Sequence, residues 1–274
     1  MIRDIWLATA ILLMATSGSA AAEPATIPLR PYVSLLRTID VEIDGRPARM
    51  LFDTGAGLTA ITPEFAAEIG CAPYGAVTGF RMNGERVTFQ RCPDASLRVG
   101  GMTRGELAVF DLGSVLPAEL PELDGVIGLD VFDGHTITIL PELSGIRIES
   151  RTSVRHALAG LRPGRARIAR EAAGSGLTVL APAPSALGDV WLLLDSANLA
   201  GLRLHPWAHE ALSASSQQGA GVLTVDGAEP WRSDPEIVAT LIYDGALDAR
   251  FLAAHAITID LARGRIWWRP AARQ

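Results

Sequence analysis

The chain twice places an acidic residue at the end of an apolar strand. Leu51-Phe52-Asp53-Thr54-Gly55-Ala56 is the stronger instance and Leu193-Leu194-Asp195-Ser196-Ala197 the weaker. A single Asp-Thr-Gly triplet is commonly a turn or a helix cap. Two strand-then-Asp units, one in each half, predict two copies of one structure set face to face. Carboxylates brought that close in a partly desolvated site cannot both ionise cheaply, so they share a proton and titrate as a unit. The ionised member can take a proton from a water held between them while the protonated member polarises a carbonyl. That is chemistry for hydrolysing a peptide bond without a metal or a covalent intermediate. Thr54 and Ser196 add hydroxyls able to bond across the two loops and hold the carboxylates coplanar. Gly55 gives the backbone room to turn and lets an amide N–H approach the carboxylate. Ala197 replaces that Gly in the second copy, which is strained if the local φ must be positive.

The elements that must carry these residues follow from alternation and turn chemistry. Leu36, Ile39, Val41 and Ile43 lead to Asp44-Gly45, a hairpin turn, and Arg49 to Phe52 returns to end at Asp53. Thr62-Pro63 predicts a capped helix running to Ile69 and closed by Gly70. Val77 to Met82 and Arg86 to Arg91 flank Asn83-Gly84 as a second hairpin, with further strands at 96–99 and 106–110. Asp124-Gly125-Val126-Ile127-Gly128 is a short apolar strand before a helical turn, and strands at 136–140 and 145–149 close the half. The second half repeats the order. Strands at 177–181 and 190–194 lead to Asp195, and His205-Pro206 opens a helix as Thr62-Pro63 does. A hairpin is expected around Gly219 to Gly227. Asp244-Gly245-Ala246-Leu247 matches Asp124-Gly125-Val126-Ile127, and strands at 256–260 and 265–268 match the closing pair. Residues 151–173, rich in Arg, Ala, Gly and Pro, read as an exposed linker or a polar connecting strand.

Composition bounds the partners. The 274 residues are 49% hydrophobic and 20% charged, which is ordinary globular composition. A formal net charge of -6 argues against nucleic acid, whose phosphates require a basic surface. At the N-terminus Arg3 precedes an apolar run from Ile5 to Ala15 and small residues up to Ala22, the pattern of a cleaved secretory signal with a mature start near Glu23. An uncleaved membrane anchor is the alternative, and no later segment is long and apolar enough to span a bilayer. In an exported chain Cys71 and Cys92 can form a disulfide; two buried thiols stay open as the other reading. His205 and His209 are four apart, but Glu210 directly follows the second, so no His-Glu-x-x-His metal pattern exists. No Gly-x-Ser-x-Gly elbow and no phosphate loop occur. No metal or cofactor is expected.

These residues resemble the retropepsin-like aspartic proteases, in the double-lobed form that also describes pepsin. The resemblance rests on Phe52-Asp53-Thr54-Gly55-Ala56 and Val126-Ile127-Gly128. It is looser in the second half, where Ala197 stands for Gly and Ala246-Leu247-Asp248 carries Asp in place of Gly. It implies a mostly β fold of two retropepsin-like β-barrel lobes with short helices. The implied boundaries are a signal peptide at 1–22, an N-terminal lobe at 23–150, a linker at 151–173 and a degenerate C-terminal lobe at 174–274. It implies catalytic Asp53 and Asp195 supported by Thr54, Ser196 and Gly55. It also implies a flap hairpin that closes over bound peptide, with Gly79, Phe80, Met82 and Gly84 meeting the substrate. The implied function is an exported aspartic endopeptidase, monomeric or homodimeric, acting on peptides or proteins without a cofactor. Two alternatives stand beside it: a homodimer using only Asp53 from each chain, and a non-catalytic peptide-binding protein on the same scaffold.

Overall fold

A computed structural model describes residues 26–117, 119–215 and 221–271. The expected signal segment, 1–22, lies outside them. The fold is mostly β, with short helices. In the first half, Arg37–Ile43 and Arg46–Phe52 pair antiparallel across the Asp44-Gly45 turn, both turn residues having positive φ. Their shared inner face buries Ile39, Val41, Ile43, Ala48, Met50 and Phe52, a period-2 pattern that fixes the register. Gly125–Ile127 runs parallel beside Arg46–Phe52, and Ala60–Ile61 lies antiparallel on its far side. Helix Pro63–Glu68 starts where the Thr62 side chain accepts from the Phe65 N–H.

Tyr74–Phe80 and Arg86–Val99 form the second hairpin. The second of these strands is continuous where the sequence predicts two. A register shift between Cys92 and Ser96 absorbs Pro93, which has no N–H to give the ladder. Cys71 and Cys92 are disulfide-bonded, tying the end of the first helix region to this strand.

The second half repeats these neighbours. Gly176–Ala183 pairs antiparallel with Val190–Leu194, Gly245–Leu247 runs parallel beside the latter, and Arg203–Leu204 lies antiparallel beyond it. Single hydrogen bonds repeat as well. The Asp124 carboxylate accepts the Arg49 N–H at 2.7 Å and its carbonyl accepts the Thr62 N–H at 2.9 Å. The Asp244 carboxylate accepts the Trp191 N–H at 2.8 Å and its carbonyl accepts the His205 N–H at 2.9 Å. The two Asp-Gly motifs thus act alike, each Asp clipping an Asp-bearing strand to the entry of the following helix.

A third sheet, of six strands, joins the halves. Thr136–Ile139 pairs antiparallel with His255–Asp260, setting Thr138 opposite Thr258 with hydroxyls 2.8 Å apart. Segments that match as duplicates therefore pair with each other. The stretch read as an exposed linker or a polar connecting strand contributes a helix, Arg151–Ala157, and two strands, Gly164–Arg165 and Arg167–Glu171. The first of these strands extends the joining sheet and the second pairs with Gly176–Ala183. Arg165 reaches Asp189 and Asp226, and Arg170 reaches Asp133. No helix among the described residues is long and apolar enough to cross a membrane.

Candidate active site

Each Asp-bearing strand ends in the same turn. The Gly55 N–H donates to Asp53 Oδ1 at 2.8 Å, and the Ala197 N–H donates to Asp195 Oδ1 at 3.0 Å. These are Asx turns, which the short carboxylate side chain makes with its own downstream backbone. Ala197 is not among the residues with positive φ, so its methyl costs no backbone strain.

The two turns are interlocked. The Thr54 N–H donates to Ser196 Oγ at 3.0 Å and the Ser196 N–H donates to Thr54 Oγ1 at 3.0 Å. The Thr54 hydroxyl goes on to the Leu194 carbonyl at 2.7 Å, and the Ser196 hydroxyl to the Phe52 carbonyl at 3.3 Å. Both side chains are buried, with Thr54 at 0% and Ser196 at 1% exposure. Every donor in this grip has an acceptor on the opposite half, so the network fixes the halves against each other.

The result brings Asp53 and Asp195 together on one cavity, where the charge of Asp195 acts on Asp53. Burial raises Asp53 well above the usual carboxylate range, and the charge of Asp195 adds to the rise. Burial also pushes Asp195 up to about 6, against the lowering pull of the Ala197 and Asn198 N–H groups and the Arg203 charge. With both proton affinities raised, a proton shared between the two acids would suit general acid–base work.

The pair sits in a cavity of about 580 Å³. Leu51, Leu58, Val87, Phe89, Phe110 and Leu116 form an apolar wall from the first half. Gly79, Phe80 and Met82 of the predicted flap line the cavity; Gly84 does not. Gly84 sits at the hairpin tip with φ +83°, where a Cβ would meet the Thr240 carbonyl at 2.9 Å. Beside it the Ile242 N–H donates to the Met82 carbonyl at 3.1 Å. The hairpin therefore spans the cavity and rests on the second half. Gly84 serves that contact and not the cavity lining.

Two cavity residues have no counterpart among the sequence-based expectations. Glu171, at the end of Arg167–Glu171, accepts at Oε1 from the Tyr243 hydroxyl and from Thr178 Oγ1, the latter at 3.2 Å. Tyr243 precedes the recognised Asp244-Gly245 pair, so its place beside the Asp195 strand could have been read from the duplication. Glu171 carries no such local signal.

Behind the first loop, Asp130 accepts from the Thr59 N–H and hydroxyl at 3.1 and 2.6 Å, and the same hydroxyl accepts the Gly128 N–H at 3.0 Å. The second half uses Asp248 where Gly128 stands. Asp248 caps helix Ala249–Ala253 by accepting the Phe251 N–H at 2.8 Å, which explains the departure from Gly. His205 and His209 lie at the helix entry and do not line the cavity that holds the acid pair. Among the described residues no three His, Cys, Asp or Glu side chains gather as metal ligands.

The pair is sensitive to one methyl group on one side. A Cβ at Gly55 would lie 2.7 Å from Asp195 Cγ. Gly55→Ala is expected to displace Asp195 and lower the kcat/KM of any hydrolysis that depends on the pair by about 100-fold or more, since small misplacements of reacting groups cost that much. Ala197→Gly should change it less than about 3-fold, because only backbone freedom is added. Steady-state kinetics on both variants checks this.

Residues 39–131 match the aspartyl protease family. No curated protein matches the sequence. Among solved structures, basic 7S globulin from soybean superposes with a TM-score of 0.57 at 11% identity, covering 91% of this chain and 95% of that one. Conglutin gamma, a basic 7S globulin from lupine seeds, gives 0.55 at 10% identity, covering 90% and 95%. These likenesses extend over both halves and describe the fold.

Proposed function

We propose that this chain is an exported aspartic endopeptidase with two lobes, whose catalytic pair is Asp53 and Asp195 of a single chain. The observation that carries the reading is the pair itself. Two carboxyls of raised proton affinity, Asp195 buried and Asp53 half-buried, line one cavity, Asp53 inside the region that matches the aspartyl protease family and Asp195 in its duplicate. A water between them would give a proton to the ionised carboxylate while its oxygen attacks the scissile carbonyl carbon. The protonated partner would give its proton to the carbonyl oxygen. Collapse of the tetrahedral intermediate would return a proton to the leaving amine. An extended peptide fits this cavity, with the apolar wall taking side chains and the flap offering backbone groups.

Export rests on the composition of residues 1–22 and is compatible with the Cys71–Cys92 bridge. The homodimeric alternative needs the Thr54 hydroxyl free for a second chain. Here Thr54 already pairs with Ser196 and Leu194, which favours the single-chain pair.

The test is purified protein incubated with a mixed peptide library from acid to neutral pH, with and without a statine-type inhibitor. Cleavage at internal bonds, blocked by the inhibitor, is the expected result. Intact peptides at every pH would overturn the peptidase reading and leave a peptide-binding protein.

A further inference from the structure

The cavity has a charge asymmetry. Two arginines line it and each has its own carboxylate: Arg81 pairs with Glu85 at 2.7 Å, and Arg203 with Glu236 at 2.8 Å. Glu171 also lines it, and among the described residues it makes no ion pair. Asp53 and Asp195 also line the cavity without an ion pair, but they face one another, which leaves Glu171 as the cavity's remaining carboxylate.

Its geometry is that of a fixed acceptor. Oε1 is held by two hydroxyls, those of Tyr243 and Thr178. Thr178 is 0% exposed, in the middle of a strand, so the anchor is rigid. Oε2 is turned toward the first half, 3.4 Å from where a Cβ on Gly57 would sit, and no hydrogen bond reaches it there. Burial, then the hydrogen bond and charge of Glu171, push the Tyr243 phenol above its usual range, so it remains a donor to Oε1. Tyr243 and Glu171 line the same cavity as Asp53 and Asp195, which puts this corner in reach of a ligand on the acid pair. A charged acceptor held on one oxygen and open on the other suits a cationic donor.

We propose that Glu171 is a specificity-determining residue that forms a subsite for a basic side chain, Lys or Arg, of a bound peptide. This rests on the peptidase reading for its kinetic consequence but not for binding. The peptide would place apolar side chains on the first-half wall and one cationic side chain against Glu171 Oε2, with Tyr243 and Thr178 holding the carboxylate still.

The test uses peptides of mixed apolar residues in which each position in turn carries Lys or its uncharged analogue norleucine. The parent protein should prefer Lys at one position by about 10- to 100-fold in kcat/KM. Glu171→Gln keeps the Oε1 acceptor and the shape but loses the charge, so the Lys-to-norleucine ratio should fall toward one. The same peptides are titrated by fluorescence anisotropy against Asp53→Asn and against Asp53→Asn with Glu171→Gln, where cleavage is not needed. Equal handling of Lys and norleucine at every position, in both assays, would overturn the subsite while leaving peptidase activity standing. Absence of cleavage with a Lys preference in binding that Glu171→Gln removes would overturn the peptidase reading and support the subsite. A Lys preference that survives Glu171→Gln would place the basic subsite elsewhere and overturn this assignment.

Discussion

Asp53→Asn and Asp195→Asn should each lower peptide-cleaving kcat/KM by at least about 1000-fold, with the fold intact. Asn keeps the side-chain oxygen that accepts from the Gly55 or Ala197 N–H, so each turn should survive. What disappears is a group able to accept and release a proton, which contributes on the order of 10²–10⁴ in rate. The lower bound corresponds to roughly 4 kcal/mol of transition-state stabilisation. The equality of the two losses is the informative part. Asp195→Asn would spare activity if Asp53 worked with its copy on a second chain. Both substitutions would be silent if the acid pair were only structural. Kinetics over a range of protein concentrations, with circular dichroism of both variants, separates these outcomes. Retained activity in either variant would falsify the single-chain pair.

Much of the site was legible because its signals are local. An apolar strand, an Asx-turn residue and a small residue sit side by side at Asp53, and the repeat order exposes Asp195. The Asp124 and Asp244 motifs were legible for the same reason, and their identical backbone bonds give the physical cause of the repeat. The joining sheet was not legible. Alternation in Thr136–Ile139 announces a strand but cannot name its neighbour, and the neighbour, His255–Asp260, is its own duplicate far along the chain. Residues 151–173 left an exposed linker and a polar connecting strand equally open, because no face of the two strands there is continuously buried. Their arginines point to carboxylates on the surface, so the sequence shows polarity where the backbone pairs. Glu171 was hidden for the same reason: it ends a polar strand and reaches the cavity only through the pairing with Gly176–Ala183.

The acid pair should make the protein less stable as pH rises, over the same window in which it becomes active. Asp195 sits at about 6 in the folded chain, above the ordinary value of an unfolded Asp near 3.9. A group raised on folding contributes stability that is complete below its unfolded value. That stability is lost as pH rises toward and through its folded value. For Asp195 the loss runs from about pH 4 to about pH 6 and amounts to on the order of 3 kcal/mol. Asp53, raised further by burial and by Asp195, extends the loss to higher pH. His255 has the opposite sign. Its burial lowers its proton affinity, so its contribution is present above about 6.5 and lost as pH falls. The difference between parent and Asp195→Asn removes His255, which both share. That variant should melt about 5 °C or more above the parent at pH 7.5, and the gap should shrink toward pH 4. The rate has the reverse dependence on its acid side: kcat/KM should rise as Asp195 ionises near pH 6 and fall at higher pH when Asp53 loses the shared proton. A melting-temperature gap that is absent, or independent of pH, would mean that burial does not raise Asp195 in the folded chain. The buried pair could not then be what holds the proton needed for catalysis.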